Sequence, residues 1–323
     1  MERRTEYIDM AAGMMLAWMI LSHTASYASY KGDFLVAGNF LSFFMPWFFY
    51  KSGMFYKERT WQENARRGVK KLMLPFIVYS LIGQFFYYIC LILENNISFR
   101  SFVYQPLRGL FVTECFAGNG ALWFLIALYI ITIIVPYCLK KIHPLIITFS
   151  GVAIAFLCYL PHISWFPCII PNVAAGMAFY SLGYYCRGKE NTWWMILLAI
   201  VIYAICCVIG FPGIYFHHNT ASNISTYLLY YPASFAGIIL LNNLCRWINP
   251  YLKVSVFRWI GQNSMNIYVT HWIVLVLSRL FVLDLAQVQD AKYAFYIFLL
   301  TMIISLPMLN KLINKIKLSY TYE

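Results

Sequence analysis

The residue best suited to chemistry in this chain of 323 residues is His23, which lies inside the apolar run Ile8–Ala28. The run is long enough to cross a bilayer, and an ionisable side chain inside hydrocarbon is costly, so it marks a functional site by default. A neutral imidazole can take the proton of a hydroxyl group as that hydroxyl attacks an acyl carbonyl. The alternative is a histidine near the far membrane interface that is hydrogen-bonded to a neighbouring helix.

Two other ionisable side chains interrupt apolar runs. His271 lies about midway along the run 261–282, near the centre of a predicted span. It has either a second catalytic or hydrogen-bonding role, or the plain role of a satisfied histidine between helices. Lys51 lies near the end of the run 34–56.

Composition places most of the chain in lipid. Hydrophobic residues make up 62% of the sequence and charged residues only 11%, whereas a soluble domain is about half apolar and about a quarter charged. The formal charge of +12 would suit nucleic acid, but the basic residues flank apolar runs. We therefore interpret them as topology signals and expect no nucleic-acid partner. The nine cysteines show neither a CxxC motif nor metal-ligand spacing, so no metal is expected.

The apolar runs predict an all-α polytopic membrane protein with about ten transmembrane helices, organised as one domain over residues 1–323. The predicted spans are 8–28, 34–56, 71–93, 121–138, 143–160, 169–186, 192–210, 224–244, 261–282 and 293–311. Most Lys and Arg residues fall on one side of this arrangement when the N-terminus is inside, as positive-inside bias requires. An even number of spans then places the C-terminus in the cytoplasm as well.

The predicted outer connection from Glu94 to Asn119 is long for a helical bundle and partly apolar. It either dips back into the protein and caps a cavity or forms a partly ordered surface loop. Glu114 in this connection, and the pair His217-His218 in another outer connection, are candidates to bind an acceptor sugar. The alternative for both is ordinary loop polarity.

Several motifs occur in the order in which a known family has them. They are Phe44-Met45-Pro46 followed by Ser52-Gly53, then Leu122-Trp123-Phe124-Leu125, and then Gly261-Gln262-Asn263-Ser264 leading through Ile267-Tyr268 to His271. Each is loose alone, but together they resemble the acyltransferase-3 family of integral membrane acyltransferases over nearly the whole chain. The resemblance implies a ten-helix transmembrane fold. It also implies transfer of an acyl group, often acetyl from cytoplasmic acetyl-CoA, to a hydroxyl on a carbohydrate or related envelope molecule.

The resemblance also implies roles for individual residues. His23 matches the family's first-helix histidine, its catalytic base, and Trp123 either lines the cavity or packs the fourth helix. Four residues match the basic inner-face cluster that meets the donor: Arg66, Arg67, Lys70 and Lys71. Cations suit the phosphates of CoA, although positive-inside bias alone would also place them there.

One position departs from the family pattern. The family usually has Arg or Lys eleven positions before the histidine, and this chain has Ala12 there. Lys51 lies at about the same predicted depth on the second span, so our hypothesis is that it supplies the missing cation from the neighbouring helix. The alternative is that Lys51 extends to the cytoplasmic headgroups.

The sequence therefore predicts an O-acyltransferase of a bacterial inner membrane that takes an acyl group, most simply acetyl, from acyl-CoA. The expected acceptor is an envelope glycan or a lipid-linked sugar, and the protein contacts membrane lipids and is compatible with a homo-oligomer. The mechanism needs His23 to be reachable from the outer side while the thioester arrives from the basic inner face. The alternatives are a transporter or flippase of a lipid-linked precursor, and a family member that binds ligands without catalysis.

Overall fold

A computed structural model describes residues 6–30, 40–160, 167–190, 192–216, 220–251 and 255–315. Within these residues the fold is helical, and the one strand-like pairing is an antiparallel bridge between Tyr215 and Thr220. The helices, in chain order, are α1 Glu6–Tyr27, α2 Phe44–Met54, α3 Trp61–Gly68, α4 Leu74–Leu93, α5 Gln105–Thr113, α6 Trp123–Cys138, α7 Pro144–Tyr159, α8 Ile169–Tyr185, α9 Trp193–Ile209, α10 Ile224–Ile248, α11 Ser255–Gln262, α12 Ser264–Arg279 and α13 Ala291–Lys315.

Six helical stretches among the described residues are long and apolar enough to cross a membrane. They are Glu6–Tyr27, Trp61–Leu93, Arg100–Cys138, Ile224–Ile248, Ser264–Leu285 and Ala291–Lys315. The helices α7 and α9 are apolar but shorter. A helix overlaps each of the ten predicted spans, although residues 34–39 of the second span lie outside the described residues. The number of crossings and the cytoplasmic placement of both termini remain predictions.

The long connection from Glu94 to Asn119 is helical in its first part and packed into the protein in its second. The π-helical turn Arg100–Tyr104 leads into α5, much of which is exposed. The chain bends at Glu114, whose φ is 54°, and continues into the 3-10 turn Ala117–Leu122, which is buried over most of its length. This buried turn leads directly into α6 and carries its first residues towards the core.

Glycines bring two pairs of helices into backbone contact. A Cβ added at Gly13 of α1 would collide with α11, and one added at Gly261 of α11 would collide with α1. In the same way, a Cβ added at Gly53 of α2 would collide with α8, and one added at Gly183 of α8 would collide with α2. Small residues at such crossings let helices approach closely in membranes, where packing contributes much of the association. The first crossing matters for the site, because α1 and the helix that follows α11 each carry one of the intramembrane histidines.

Candidate functional site

Two histidines from different helices face each other where α1 meets α12. The ring centroids of His23 and His271 are 5.7 Å apart, and the rings stack at an interplanar angle of 25°. The indole of Trp272 meets His23 edge-on, with centroids 5.0 Å apart and an angle of 73°. Tertiary packing therefore joins two imidazoles that lie near opposite ends of the sequence.

The contacts of His271 determine which of its nitrogens carries the proton. The ring is completely buried, and Nδ1 lies 2.7 Å from the Tyr268 carbonyl oxygen. A carbonyl can only accept, so Nδ1 donates the hydrogen bond and the neutral ring keeps its lone pair on Nε2. Nε2 has no hydrogen-bond partner among the described residues. A buried acceptor is costly to leave unmatched, so Nε2 is available to any hydrogen-bond donor that reaches the ring.

His23 lines a cavity of about 1050 Å³. Ligand-binding cavities commonly measure about 300–1,000 Å³, so this one can hold a substantial small molecule. The described lining combines aromatic rings with hydroxyl groups, among them Ser22, Ser26, Trp123, Tyr268 and Trp272. Such a surface offers hydrogen bonds and flat apolar faces together.

The cavity lies at one end of the helical bundle. It is built from the C-terminal half of α1, the first turn of α2, the beginnings of α6 and α10, and the connection between α9 and α10. All of these parts lie at the same end of the bundle. In the orientation predicted from Lys and Arg, this is the outer end.

The four predicted donor-binding cations lie away from this cavity. Arg66 and Arg67 belong to the last turn of α3, and Lys70 and Lys71 lie in the π-helical turn Val69–Met73 that joins α3 to α4. Lys71 is half-buried and the other three are exposed. None of the four is among the described residues that line the cavity. The cavity around His23 therefore does not by itself extend to the basic run.

Lys51 lies beside a buried polar network that the sequence reasoning missed. Its Nζ is 5.3 Å from the ring centroid of Trp47, one turn earlier in α2. Trp47 Nε1 donates to Asn242 Oδ1 at 2.9 Å, and Asn242 Nδ2 donates to Glu190 Oε2 at 3.3 Å. Arg246 pairs with Glu190 at 3.8 Å. The available signal was an asparagine near the end of an apolar run, because polar side chains in such runs find partners.

The two predicted acceptor-binding residues have different surroundings. Trp123 is the first residue of α6 and lines the cavity. Glu114 is buried, and its Oε2 accepts a hydrogen bond from Asn172 Nδ2 at 3.3 Å. It is not among the described cavity residues. The pair His217-His218 lies outside the described residues.

Tyr268 of the last sequence motif and Trp272, just after that motif, belong to the site although neither was assigned a role from the sequence. Tyr268 donates from its hydroxyl to the Ala121 carbonyl and so ties α12 to the turn before α6. Trp272 packs against Gly120, where an added Cβ would meet the indole ring, and it also contacts His23. Their spacing of four residues was the available signal, because it places both on one face of a helix.

Comparison with known proteins supplies the family. A family model described as an acyltransferase domain matches residues 5–309, nearly the whole chain. The chain belongs to the acyltransferase-3 family. No curated protein and no solved structure gives a significant match. The family and the apolar helices together make the protein a membrane acyltransferase.

The polar side-chain groups at the cavity of this acyltransferase are imidazole, indole, phenol, hydroxyl and one amide. Within the described ranges, no three His, Cys, Asp or Glu side chains cluster closely enough to hold a metal ion. The groups of the described lining can transfer protons and form hydrogen bonds, and His23 is the imidazole that reaches the cavity.

Proposed function

We propose that this acyltransferase moves an acetyl group from cytoplasmic acetyl-CoA to a hydroxyl of an envelope glycan or lipid-linked sugar at a bacterial inner membrane. The observation that carries the proposal is the position of His23 on the wall of a cavity rich in hydroxyl and aromatic groups. A proton acceptor there is adjacent to the space that a hydroxylated acceptor would occupy.

The proposed reaction is a direct transfer. His23 takes the proton from the acceptor O–H as its oxygen attacks the thioester carbonyl. The carbon–sulfur bond then breaks, the new ester forms, and the proton passes to the thiolate so that CoA leaves as a thiol. Stacked His271 and edge-on Trp272 hold the His23 ring in place during these steps. His271 is fully buried and is not among the described cavity residues, so a substrate contact at its Nε2 would require the ring to become accessible.

The donor is proposed to dock through its phosphates on the basic run of Arg66, Arg67, Lys70 and Lys71. Charge complementarity supports this assignment, because cations and phosphate oxygens form strong charge-assisted hydrogen bonds. The acyl-bearing arm would then extend between helices to the histidines. Replacing Arg66 and Arg67 with Gln should raise the KM for acetyl-CoA and leave kcat nearly unchanged, whereas the same change at Lys140 and Lys141 should not.

The deciding experiment incubates the purified protein with labelled acetyl-CoA and candidate glycans. The wild type should transfer label, and His23→Ala should lose about 10²- to 10⁴-fold in kcat, the range of general-base catalysis. His143→Ala is the matched control, because His143 caps the start of α7 and does not line the cavity.

Other outcomes would identify the alternatives. A wild type that binds the donor without turnover would be a family member that has lost catalysis, which the alanine at position 12 makes worth testing. Movement of a lipid-linked sugar across vesicles, with neither donor binding nor turnover, would identify a transporter. Equal activity of His23→Ala and wild type would remove His23 from the mechanism.

A further inference from the structure

The described lining of the cavity is polar without being charged. None of these residues is Asp, Glu, Lys or Arg. Apart from the His23 imidazole and the indole N–H groups, its polar side-chain groups are hydroxyls and one amide, including Ser222, Asn223 and Thr226 at the start of α10. Hydroxyl and amide groups can both donate and accept hydrogen bonds, as sugar hydroxyls do. The cavity therefore matches a ligand with many neutral hydroxyl groups.

An aromatic platform stands beside these polar groups. Phe216 lines the cavity and stacks on Trp123, with ring centroids 5.9 Å apart and an interplanar angle of 18°. Trp123 is almost fully buried, whereas Phe216 keeps part of its ring exposed. Trp123 therefore backs Phe216, and Phe216 offers the accessible aromatic surface. The C–H face of a sugar ring packs well on such a surface because both are flat and apolar.

The platform is held in place before any ligand binds. Tyr215, the residue before Phe216, pairs with Thr220 in an antiparallel bridge, and its amide nitrogen lies 2.8 Å from the Thr220 carbonyl oxygen. Ser42 ties the segment before Phe216 to the start of α2, because its Oγ donates to the Pro212 carbonyl at 3.2 Å. A preformed surface reduces the ordering cost of binding.

We propose that the acceptor is a neutral sugar unit that stacks on Phe216, and that the cavity discriminates against acceptor units carrying a carboxylate or a phosphate. The inference rests on the proposed transfer to a carbohydrate and specifies the class of carbohydrate. Its physical reason is desolvation. A charged group that leaves water needs a charged partner or several hydrogen bonds to replace its hydration, and the described lining supplies no cation.

The first test compares two acceptors of the same skeleton, a glucoside oligosaccharide and the matching glucuronide, at saturating acetyl-CoA. Wild-type kcat/KM should favour the neutral acceptor by about tenfold or more, since an unpaired charge is penalised in such a site. Equal use of both acceptors, or preference for the glucuronide, overturns this inference and leaves the acyltransferase function standing. If no sugar is acetylated at all, both the proposed function and this inference are wrong.

The second test changes the platform. Phe216→Leu should raise the KM for the neutral acceptor by about tenfold, the effect of losing one aromatic contact, while the KM for acetyl-CoA stays unchanged. Phe216→Tyr keeps the ring and should restore the acceptor KM. Phe149→Leu is the matched control, because Phe149 is exposed on α7 away from the cavity. An unchanged acceptor KM in Phe216→Leu overturns the stacking role.

The third test adds the missing charge. Ser225 lies on the cavity wall and is exposed, so a longer side chain can be placed there. Ser225→Lys should shift the glucuronide-to-glucoside ratio of kcat/KM about tenfold towards the glucuronide, as a complementary charge pair predicts. Ser225→Met supplies similar length without charge and should leave the ratio near that of the wild type. Identical ratios in the Lys and Met variants contradict the electrostatic account.

Discussion

The hydrogen bond from His271 to the Tyr268 carbonyl gives the two ring nitrogens separate roles. Nδ1 is used in holding the ring against its own helix, at 2.7 Å. Nε2 is left as the acceptor, and it has no partner among the described residues. A histidine that served packing alone would be expected to satisfy both nitrogens, because buried polar atoms in native structures are nearly all paired. The unpaired Nε2 therefore sets His271 apart from a histidine that serves packing alone, while the ring itself is not among the described residues that line the cavity.

One substitution at position 271 separates these roles. In His271→Asn the amide nitrogen replaces Nδ1 and keeps the bond to Tyr268, while nothing replaces Nε2. We expect near-normal thermal stability and a kcat lowered by about tenfold or more, since general acid–base and hydrogen-bonding groups contribute at least that much. Stopped assays and melting curves on the same preparation provide both values. Full activity of His271→Asn would assign His271 to packing.

It remains a prediction that Lys51 supplies the cation that the family usually has at position 12. Ala12 is completely buried on α1, and Lys51 is half-buried on α2. If Lys51 replaces the family cation, Lys51→Met should abolish transfer, and adding Ala12→Lys should restore part of it. Kinetics of the single and double variants, with Lys140→Met as a surface control, decide the matter. Full activity of Lys51→Met would leave the side chain with a headgroup role.

At the scale of helices, the close crossing of α1 and α11 sets the distance between the two histidines. Gly261 of α11 contacts the backbone of Asp9, and Gly13 of α1 contacts the backbone of Phe257. The next helix, α12, begins at Ser264 and carries His271. A larger residue at the crossing would therefore separate α1 from α11 and displace α12 with it. Position 13 then affects both stability and catalysis.

Gly13→Ala tests this crossing because the change in stability that we expect has the opposite sign to the usual one. An alanine in place of a helical glycine ordinarily stabilises a protein by about 0.4–1 kcal/mol. Here the Cβ would meet backbone atoms that cannot move alone, so we expect destabilisation of about 1–3 kcal/mol, as for overpacking.

The matched control is Gly176→Ala in α8. Its added Cβ would meet the end of the Ile131 side chain and the edge of the Phe49 ring, which can shift. Melting temperatures in one detergent provide the comparison. An increase for Gly13→Ala, or a larger loss for Gly176→Ala, would contradict the proposed crossing.

At the scale of the whole molecule, one polar network joins four parts of the chain away from the cavity. Glu190, in the connection between α8 and α9, meets Arg246 and Asn242 of α10. Arg246 Nη2 donates to the Tyr7 hydroxyl of α1 at 2.8 Å, and Asn242 accepts from Trp47 of α2. A buried charge is tolerated only with such partners. The network therefore fixes the relative positions of the helices at this end.

Burial raises the pKa of Glu190 above its ordinary value of 4.5, although Arg246 and the hydrogen bond from Asn242 oppose this shift. The folded protein thus holds the proton more tightly than the unfolded chain. The resulting stability is fully present below about pH 4.5 and is lost as the pH rises through the folded-state pKa. Glu190→Gln should therefore flatten the fall in melting temperature above pH 4.5.

The control for this prediction is Glu58→Gln, since Glu58 is exposed. It should keep the pH dependence of the wild type. Melting curves between pH 4 and 8 in one detergent are sufficient. A Glu190→Gln variant with the wild-type slope would show that other groups determine the pH response.

The sequence alone determined the class of the protein, its family and the approximate positions of its long apolar helices, but not the short helices α3, α5 and α11. These follow from local properties of the sequence. The length of an apolar run shows whether it can span a membrane, and motifs identify a family without knowledge of the tertiary structure. His23 was identifiable for the same reason, as an ionisable residue inside hydrocarbon. The resemblance to the acyltransferase-3 family was confirmed by the match over residues 5–309.

Only the tertiary structure decided which residues share the site. The stacking of His23 on His271, the Phe216–Trp123 platform and the Glu190 network all join side chains from separate parts of the chain. The structure likewise placed Glu114 against Asn172 and not at the cavity. Hydropathy cannot predict such pairings. It indicates that a helix lies in lipid, but it does not indicate which face of the helix packs against which neighbouring helix. That choice is made by packing, through the shapes of small residues at crossings such as the one at Gly13.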